Sequence, residues 1–226
     1  MARERYRQRL ERLREAVVAV GDLVAGRLDD AVTASITCDR TLAESVIDGD
    51  HEINRRYLSL EHECLELIAL QQPLAGDLRL VVAAFKIVTD LERLGDLAVN
   101  LAQYARESNV CAIPDVDFER LTSLAREQVE TAVDAFASDD AAACLRVASR
   151  DEELDRRCEA VSERVLRAAL ATRLSDVSGE GQADETLEDT LRTLVLVRDL
   201  ERVGDHAVNV AAWTYYALEN DERLLV

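Results

Sequence analysis

One eleven-residue phrase occurs twice in this chain and constrains its fold more than any other feature. DLERLGDLAVN occupies residues 90–100, and DLERVGDHAVN occupies residues 199–209. Nine of the eleven positions are identical, and the only polar replacement is His206 for Leu97. Identity at this level over two distant segments predicts duplication of a structural unit, a chemical need for the same side chains twice, or both.

A second repeated segment extends the duplicated unit. DHEINRR at residues 50–56 is matched by DEELDRR at residues 151–157. The offset is 101 positions here and 109 in the first pair, so the second unit is longer. The extra length falls in the polar, glycine-containing stretch at 175–185, which we predict to be an exposed loop.

Helical periodicity runs through both copies. In residues 5–37, apolar side chains recur at every third or fourth position, as on one face of a helix. Two prolines and eight glycines in 226 residues are too few for a fold of strands and turns. We therefore predict an all-α protein of six helices, at about 5–37, 41–70, 74–106, 116–136, 140–173 and 185–219, forming two similar three-helix bundles in residues 1–107 and 115–226, with a linker at 108–115.

Composition excludes several classes of function. The formal charge of −18 repels nucleic acid phosphates and anionic lipid head groups, so we expect no nucleic acid partner. Adaptation to a salty cytoplasm is a simpler cause of the acidity than a function of the charge itself. No stretch has the roughly 18 uncharged apolar residues of a membrane span, and the basic N-terminus lacks the apolar core of a signal peptide. The five scattered cysteines predict buried, reduced thiols in a cytoplasmic protein.

The repeated segments carry acids spaced four residues apart, so each pair projects from one face of a helix. Two like charges at this spacing are mildly destabilising unless a cation bridges them, and oxygen ligands suit Mg²⁺, Mn²⁺, Ca²⁺ or iron. The candidate metal ligands are Glu92 with Asp96, Glu201 with Asp205, Asp151 with Asp155, and Asp50 with Asn54.

An alternative interpretation is that these acids are solvated and paired with nearby arginines, namely Arg93, Arg202, Arg55 and Arg156. The residues alone leave both interpretations open. Gly95 and Gly204 lie inside the repeated helices, where each costs about 1 kcal/mol relative to alanine. Because both copies have this destabilising glycine at the same position, we predict the close approach of another backbone or of a ligand there.

Catalytic motifs are lacking. The sequence has no Glu-x-x-His, His-Glu-x-x-His, nucleophile elbow or phosphate-binding glycine loop. We therefore predict that the protein is not an enzyme. The alternative is a carboxylate-bridged metalloenzyme of a helical bundle, acting on oxygen, peroxide or phosphate esters.

The combined motifs resemble the PhoU family of phosphate-transport regulatory proteins, over nearly the whole chain. The segments that carry the resemblance are VIDGDHEIN, SRDEELDRR, LVLVRDLERVGDHAVNVA and, most specifically, ALQQPLAGDLRLVVAAFKIVTDLERLGDLAVNLA at 69–102. The resemblance implies two three-helix bundles. It also implies a multinuclear iron or zinc cluster held by the acids named above, although Asn54 departs from the usual Asp and is a weaker ligand.

The same resemblance implies a function and partners. It implies a cytoplasmic negative regulator of high-affinity phosphate uptake and phosphate-starvation signalling. The partners would be the ATPase subunit of the phosphate transporter, a membrane sensor kinase, and a second copy in a homodimer. The segment QQPLAGDLR at 71–79 has no counterpart in the second unit. It is either a partner contact or simply the place where Pro73 starts a helix and Arg79 pairs with an acid.

Overall fold

The computed structural model describes residues 2–107, 118–175 and 180–225, and side chains over 3–107, 118–171 and 187–225. These ranges contain six α-helices and no strand, which confirms the all-α prediction. The helices are α1 (Ala2–Thr37), α2 (Arg40–Gln71), α3 (Ala75–Glu107), α4 (Phe118–Ser138), α5 (Ala141–Ser175) and α6 (Glu180–Glu219).

Two predicted boundaries need comment. The segment at 175–185 was expected to be a loop, but α6 already begins at Glu180, so that prediction was wrong for its second half. The acidic and polar residues there lack the apolar periodicity by which a sequence reveals a helix. The linker predicted at 108–115 lies outside the described residues.

The turns that join α1 to α2 and α4 to α5 are built alike. The carboxylates of Asp39 and Asp140 each accept a hydrogen bond from the backbone amide three residues on, at 3.0 and 2.9 Å. Such an N-cap contributes about 1 kcal/mol. The preceding residues, Cys38 and Asp139, are both left-handed, with φ of 55° and 57°. The duplication with an offset of 101 therefore includes the first helix of each unit, where the sequence shows no obvious repeat.

Each unit packs as a three-helix bundle, and the two bundles meet through α3 on α6 and α1 on α4. In the described part of the chain, α2 and α5 contact only helices of their own bundle. Aliphatic residues fill the contact, and those on α3 and α6 are buried at equivalent positions. They are Ile87, Val88, Leu91, Leu94, Ala98 and Leu101 on α3, and Leu196, Val197, Leu200, Val203, Ala207 and Val210 on α6.

The paired helices run antiparallel. Near one end of the contact, the Lys86 ammonium lies 5.6 Å from the centre of the Trp213 ring, and near the other the Tyr104 hydroxyl lies 3.4 Å from that of Thr193. Helices α1 and α4 are also antiparallel, as the pairing of Asp29 with Arg126 and of Arg14 with Asp139 shows. The units are thus related by an approximate twofold axis, and the turn between α2 and α3 lies at the opposite end of the molecule from the start of α6.

A buried polar cluster joins α3 to α6 within this aliphatic contact. Nδ1 of His206 lies 2.9 Å from Oδ1 of Asp90, and Nδ2 of Asn209 donates to the same oxygen at 3.2 Å. Asp90 and His206 are both buried. The change from leucine to histidine in the repeated phrase therefore supplies Asp90 with a partner from the other bundle. The equivalent of Asp90 in the second unit, Asp199, instead accepts from Arg202 of its own helix at 3.3 Å.

The cysteines only partly follow the sequence prediction. Cys64, Cys144 and Cys158 are buried and unpaired, and burial raises their pKa values to about 12, 11 and 12. Cys38 is disulfide-bonded, contrary to the expectation of reduced thiols. Cys38 lies just past the end of α1. The spacing of cysteines along the sequence could not reveal its disulfide, because a disulfide depends on the distance between two backbones in the fold. Among the described helices, none is both long and apolar enough to cross a lipid bilayer.

We predict that Asp90 and His206 are energetically coupled. Removing either partner leaves a buried polar group with fewer hydrogen bonds, which costs about 1–3 kcal/mol. In urea unfolding of Asp90→Ala, His206→Ala and the double variant, we expect a coupling energy of about 1–2 kcal/mol. If the two single effects simply add, the contact contributes nothing specific to the association of the bundles.

Candidate metal centre

The structure pairs the predicted ligands in the way that the duplication suggests. Asp50 and Asn54 on α2 lie beside Glu92 and Asp96 on α3, and the corresponding residues of α5 and α6 lie beside each other in the second bundle. The effect of each acid on the pKa of its neighbour shows that these residues lie close together. Burial, together with the charge of Asp96, raises the pKa of Glu92, and burial with the charge of Asp50 raises that of Asp96.

The second bundle shows the same effect more strongly. Burial and the charge of Asp155 raise the pKa of Asp151 to about 6. Burial and the charge of Asp205 raise the pKa of Asp155, and burial with the charges of Asp155 and Asp205 raises that of Glu201. These carboxylates therefore lie close together with too little positive charge around them, which is the electrostatic condition that a bound cation would relieve.

The two acidic groups also face a common cleft of about 960 Å³ on the surface of α3 and α6. Glu92 and Asp96 line it from the first bundle, and Asp151 and Asp205 line it from the second. Arg93, Arg202, Arg223, His206 and Asn209 complete the polar lining. The other four predicted ligands, Asp50, Asn54, Asp155 and Glu201, do not line the cleft. Which helices approach each other across the two units could not be read from the sequence.

As placed, the acids surround the site but do not converge on one point. Over the described side chains, no three Asp, Glu, His or Cys groups are close enough to hold a metal ion. Holding an ion would require rotation of these side chains, which are half-buried or exposed.

Arginines do not neutralise this site by direct ion pairs, although the charges of Arg93 and Arg202 act to lower the pKa values of Glu92 and Asp96. In the described part of the chain, no ion pair within 4.0 Å joins an acid of either group to Arg55, Arg93, Arg156 or Arg202. Arg156 donates to the backbone carbonyl of Glu152 at 2.9 Å, and Arg202 donates to Asp199. The acids of the candidate site therefore lack the direct partners that the alternative requires.

Two buried oxygens beside the acids lack hydrogen-bond donors. Oδ1 of Asp50 has no partner, whereas its Oδ2 accepts from Nδ2 of Asn54 at 2.7 Å. Oε1 of Gln128 on α4 also has none, although its Nε2 donates to Asp151 at 3.3 Å. A buried acceptor without a donor costs about 1–3 kcal/mol, and a cation would satisfy it. The donor set, carboxylate and amide oxygens only, fits a hard or borderline cation.

The two repeated glycines make room for side chains of the neighbouring helix. A methyl group built on Gly95 would come 3.1 Å from Cδ1 of Ile53. One built on Gly204 would come 2.6 Å from Cδ2 of Leu154 and 2.8 Å from Oδ1 of Asp151. The predicted close approach is real, but it involves side chains and not a backbone. In the second bundle, the glycine lets a candidate ligand lie directly against α6.

Sequence reasoning missed the contribution of Gln128. This residue is buried on the apolar face of α4, together with Leu124, Val129 and Ala132. A glutamine on the core face of an amphipathic helix is unusual, because its amide needs partners when buried. The position of Gln128 among the apolar residues of α4 was the signal in the sequence that could have identified it.

We predict that Asp151→Asn stabilises the metal-free protein at high pH. The pKa of Asp151 is raised in the folded state, so its stabilising proton is lost as pH rises from about 4 to 6. At pH 8 in a chelator, we expect the asparagine variant to exceed the wild type by about 1 kcal/mol in urea unfolding, after allowance for solvent screening. At pH 4 the two should agree. Glu159→Gln, at an exposed position, is the control, and a less stable Asp151→Asn at pH 8 would contradict the electrostatic description.

Comparison with known proteins agrees with this architecture. The family profile of the PhoU domain matches residues 17–105 and 118–214, once in each bundle. The chain is 32% identical to a phosphate-specific transport system accessory protein PhoU homolog of Pseudomonas putida, covering 97% of this chain and 82% of that protein. It is 31% identical to the homolog of Caulobacter vibrioides (strain NA1000 / CB15N), covering 96% and 91%.

Solved structures share the fold. A crystal structure of PhoU from Pseudomonas aeruginosa has a TM-score of 0.84 and 32% identity, covering 96% of this chain and all of that one. The phosphate transport system regulatory protein PhoU from Streptococcus pneumoniae has a TM-score of 0.82 at 24% identity, covering 96% and 98%, and supports the fold alone. With a domain match in each bundle and relatives above 30% identity along nearly its full length, this chain belongs to the PhoU family.

Proposed function

We propose that this protein is a cytoplasmic, non-catalytic regulator that lowers high-affinity phosphate uptake and phosphate-starvation signalling when phosphate is plentiful. The observation that carries the proposal is similarity over 96–97% of the chain to proteins named as phosphate-specific transport system accessory proteins. The proposed direct partner is the ATPase subunit of the phosphate transporter. A membrane sensor kinase is the proposed partner for signalling, and the protein is proposed to act as a homodimer.

Cation binding by the acidic groups is the second part of the proposal. The raised pKa values, the buried acceptors without donors, and the lack of direct arginine partners support it. We propose a multinuclear iron or zinc cluster, with Asp151, Asp155, Glu201 and Asp205 in the second bundle. In the first bundle, Asp50, Glu92, Asp96 and the amide oxygen of Asn54 would hold a related one. A bound cluster would neutralise these carboxylates and tie α2 to α3 and α5 to α6.

Metal content provides the test of this part. After reconstitution with Zn²⁺ or iron, we expect Glu92→Ala/Asp96→Ala and Glu201→Ala/Asp205→Ala each to lose the metal of one bundle, because each removes two ligands. Glu159→Ala/Glu163→Ala is a matched control, since it removes two acids with the same spacing from the exposed side of α5. Metal content equal to that of the control in correctly folded variants would refute the assignment.

A candidate contact surface lies at the turn between α2 and α3. Leu70, Leu74 and Leu78 are 68%, 79% and 38% exposed there. Gln72 and Ala75 are left-handed, which gives the turn a defined shape. Contiguous exposed apolar side chains often mark protein contacts, and we propose that these leucines form such a surface. If the cytoplasm is salty, affinity would depend on such apolar contacts more than on screened charges.

The simpler interpretation of this segment agrees with the structure only in part. It assumed that Pro73 starts α3 and that Arg79 pairs with an acid. Helix α3 begins at Ala75, two residues after Pro73. Nε of Arg79 is buried without a hydrogen-bond partner. The helix start agrees with the simpler interpretation, but no ion pair within 4.0 Å joins Arg79 to an acid among the described residues.

Phosphate uptake after deletion of the gene tests the regulatory role. We expect higher uptake in phosphate-replete medium, derepressed starvation genes, and restoration by the wild-type protein. Leu70→Ser/Leu74→Ser should fold but fail to restore regulation or to retain the transporter ATPase in a pull-down. Leu166→Ser/Leu170→Ser, which changes two leucines of α5 with 47% and 63% exposure, is the control and should restore both.

Three outcomes would contradict the proposal at different levels. Wild-type uptake and unchanged starvation-gene expression after deletion would remove the regulatory role. Equal behaviour of the two leucine variants would show that the partner does not bind at the turn between α2 and α3. Steady turnover of peroxide or a phosphate ester by the iron- or manganese-loaded protein would favour the metalloenzyme alternative.

A further inference from the structure

Gln128 occupies a position that the packing of the second bundle alone does not explain. It is only 2% exposed, and its Oε1 has no hydrogen-bond donor. Its Nε2 donates to Oδ1 of Asp151 at 3.3 Å. A methyl group built on Gly204 would come 3.1 Å from Oε1 of Gln128 and 2.8 Å from Oδ1 of Asp151, so both oxygens converge over this glycine. An acceptor without a donor is thus buried beside a carboxylate of the candidate site.

The duplication places a different residue at the same point of the first bundle. With the offset of 101 that relates α1 to α4, the counterpart of Gln128 is Arg27. Its Nη1 donates to the backbone carbonyls of Ser45 and Val46 at 3.1 and 3.4 Å. Its guanidinium occupies the space in which Gly49 would carry a side chain, next in the chain to Asp50. Nη2 of Arg27 also pairs with Glu52 at 3.8 Å. The first bundle therefore has a guanidinium bound to α2 where the second has a neutral amide with a free acceptor.

We propose that Gln128 is a positioning residue of the second-bundle cation site, and that its exchange with Arg27 makes the two sites unequal, with the second binding a divalent cation more tightly. This inference rests on the proposed cation binding. Gln128 would hold Asp151 by its amide N–H and direct its amide oxygen toward the ion. The second site then combines four carboxylates with a neutral oxygen donor.

The first site is weaker for two independent reasons. It has three carboxylates, and its fourth position, Asn54, already uses its amide N–H on Asp50 at 2.7 Å. The Arg27 guanidinium is bound to carbonyls of α2 and to Glu52, and it has no acceptor atom, so the first site lacks the amide oxygen that Gln128 offers to the second. Binding therefore proceeds in order, with the second bundle loaded at lower cation concentration than the first.

Zn²⁺ titration by calorimetry tests this inference with one site studied at a time. Glu92→Ala/Asp96→Ala leaves the second site, and Glu201→Ala/Asp205→Ala leaves the first. We expect the second site to bind Zn²⁺ at least about tenfold more tightly. Gln128→Met, which keeps the side-chain length without its polar atoms, should weaken the second site by about tenfold, as loss of an outer-shell partner does.

The reciprocal change tests the same inference in the other bundle. Arg27→Gln should tighten Zn²⁺ binding at the first site by about fivefold, since it exchanges a guanidinium for an amide with an oxygen acceptor, as in the second bundle. Because it lies outside the second bundle, it remains informative if Gln128→Met folds poorly. A purely structural role of Gln128 would change thermal unfolding without a selective change at the second site.

The outcomes separate this inference from the proposal beneath it. If both sites bind Zn²⁺ but with equal affinity, and neither Gln128→Met nor Arg27→Gln changes it, the inequality is overturned while cation binding stands. If neither site binds Zn²⁺ in the folded protein, cation binding itself is overturned, and the role of Gln128 with it.

Discussion

The antiparallel contact of α3 with α6 is the interaction on which the rest of this structure depends. It is built from aliphatic side chains, since aromatic residues make up only 4% of the chain. Burial of apolar surface is non-directional, so it could tolerate sliding of one helix along the other. The Asp90–His206–Asn209 cluster sets the register, because its hydrogen bonds form in one alignment only. That alignment brings acids of both bundles to one cleft.

The approximate twofold symmetry hides chemically important differences. The helices, the N-caps and the glycines repeat closely, whereas the polar residues around the acids do not. Histidine replaces leucine at position 206, asparagine replaces aspartate at position 54, and glutamine replaces arginine at position 128. Each exchange changes hydrogen bonding or charge while leaving the helical packing intact. Duplication thus preserved the scaffold, and the two acidic groups diverged on it.

Stability and the proposed function are opposed at the acidic groups. Raised pKa values show that the folded chain holds Glu92, Asp96, Asp151, Asp155 and Glu201 in surroundings that disfavour their charge. Packing elsewhere must offset that unfavourable energy, since native proteins have only about 5–15 kcal/mol of net stability. The aliphatic core and the capped turns provide this reserve. A site that is electrostatically strained without a cation is well prepared to gain free energy from binding one.

The sequence by itself determined the helices, the duplication and the identity of the candidate ligands, because periodicity and spacing are local properties of the chain. It placed Glu92 and Asp96, and likewise Glu201 and Asp205, on single helical faces, but it left open which helices pair at each metal site. It could not show that His206 reaches Asp90, that Glu92 and Asp205 face one cleft, or that Gln128 is buried against Asp151. Nor could it show that α6 begins at Glu180 or that Cys38 is disulfide-bonded. Contacts between residues about a hundred positions apart depend on how the bundles dock. Only the tertiary structure decided them, because docking is set by the combined shape of two helical surfaces and not by any segment of the sequence.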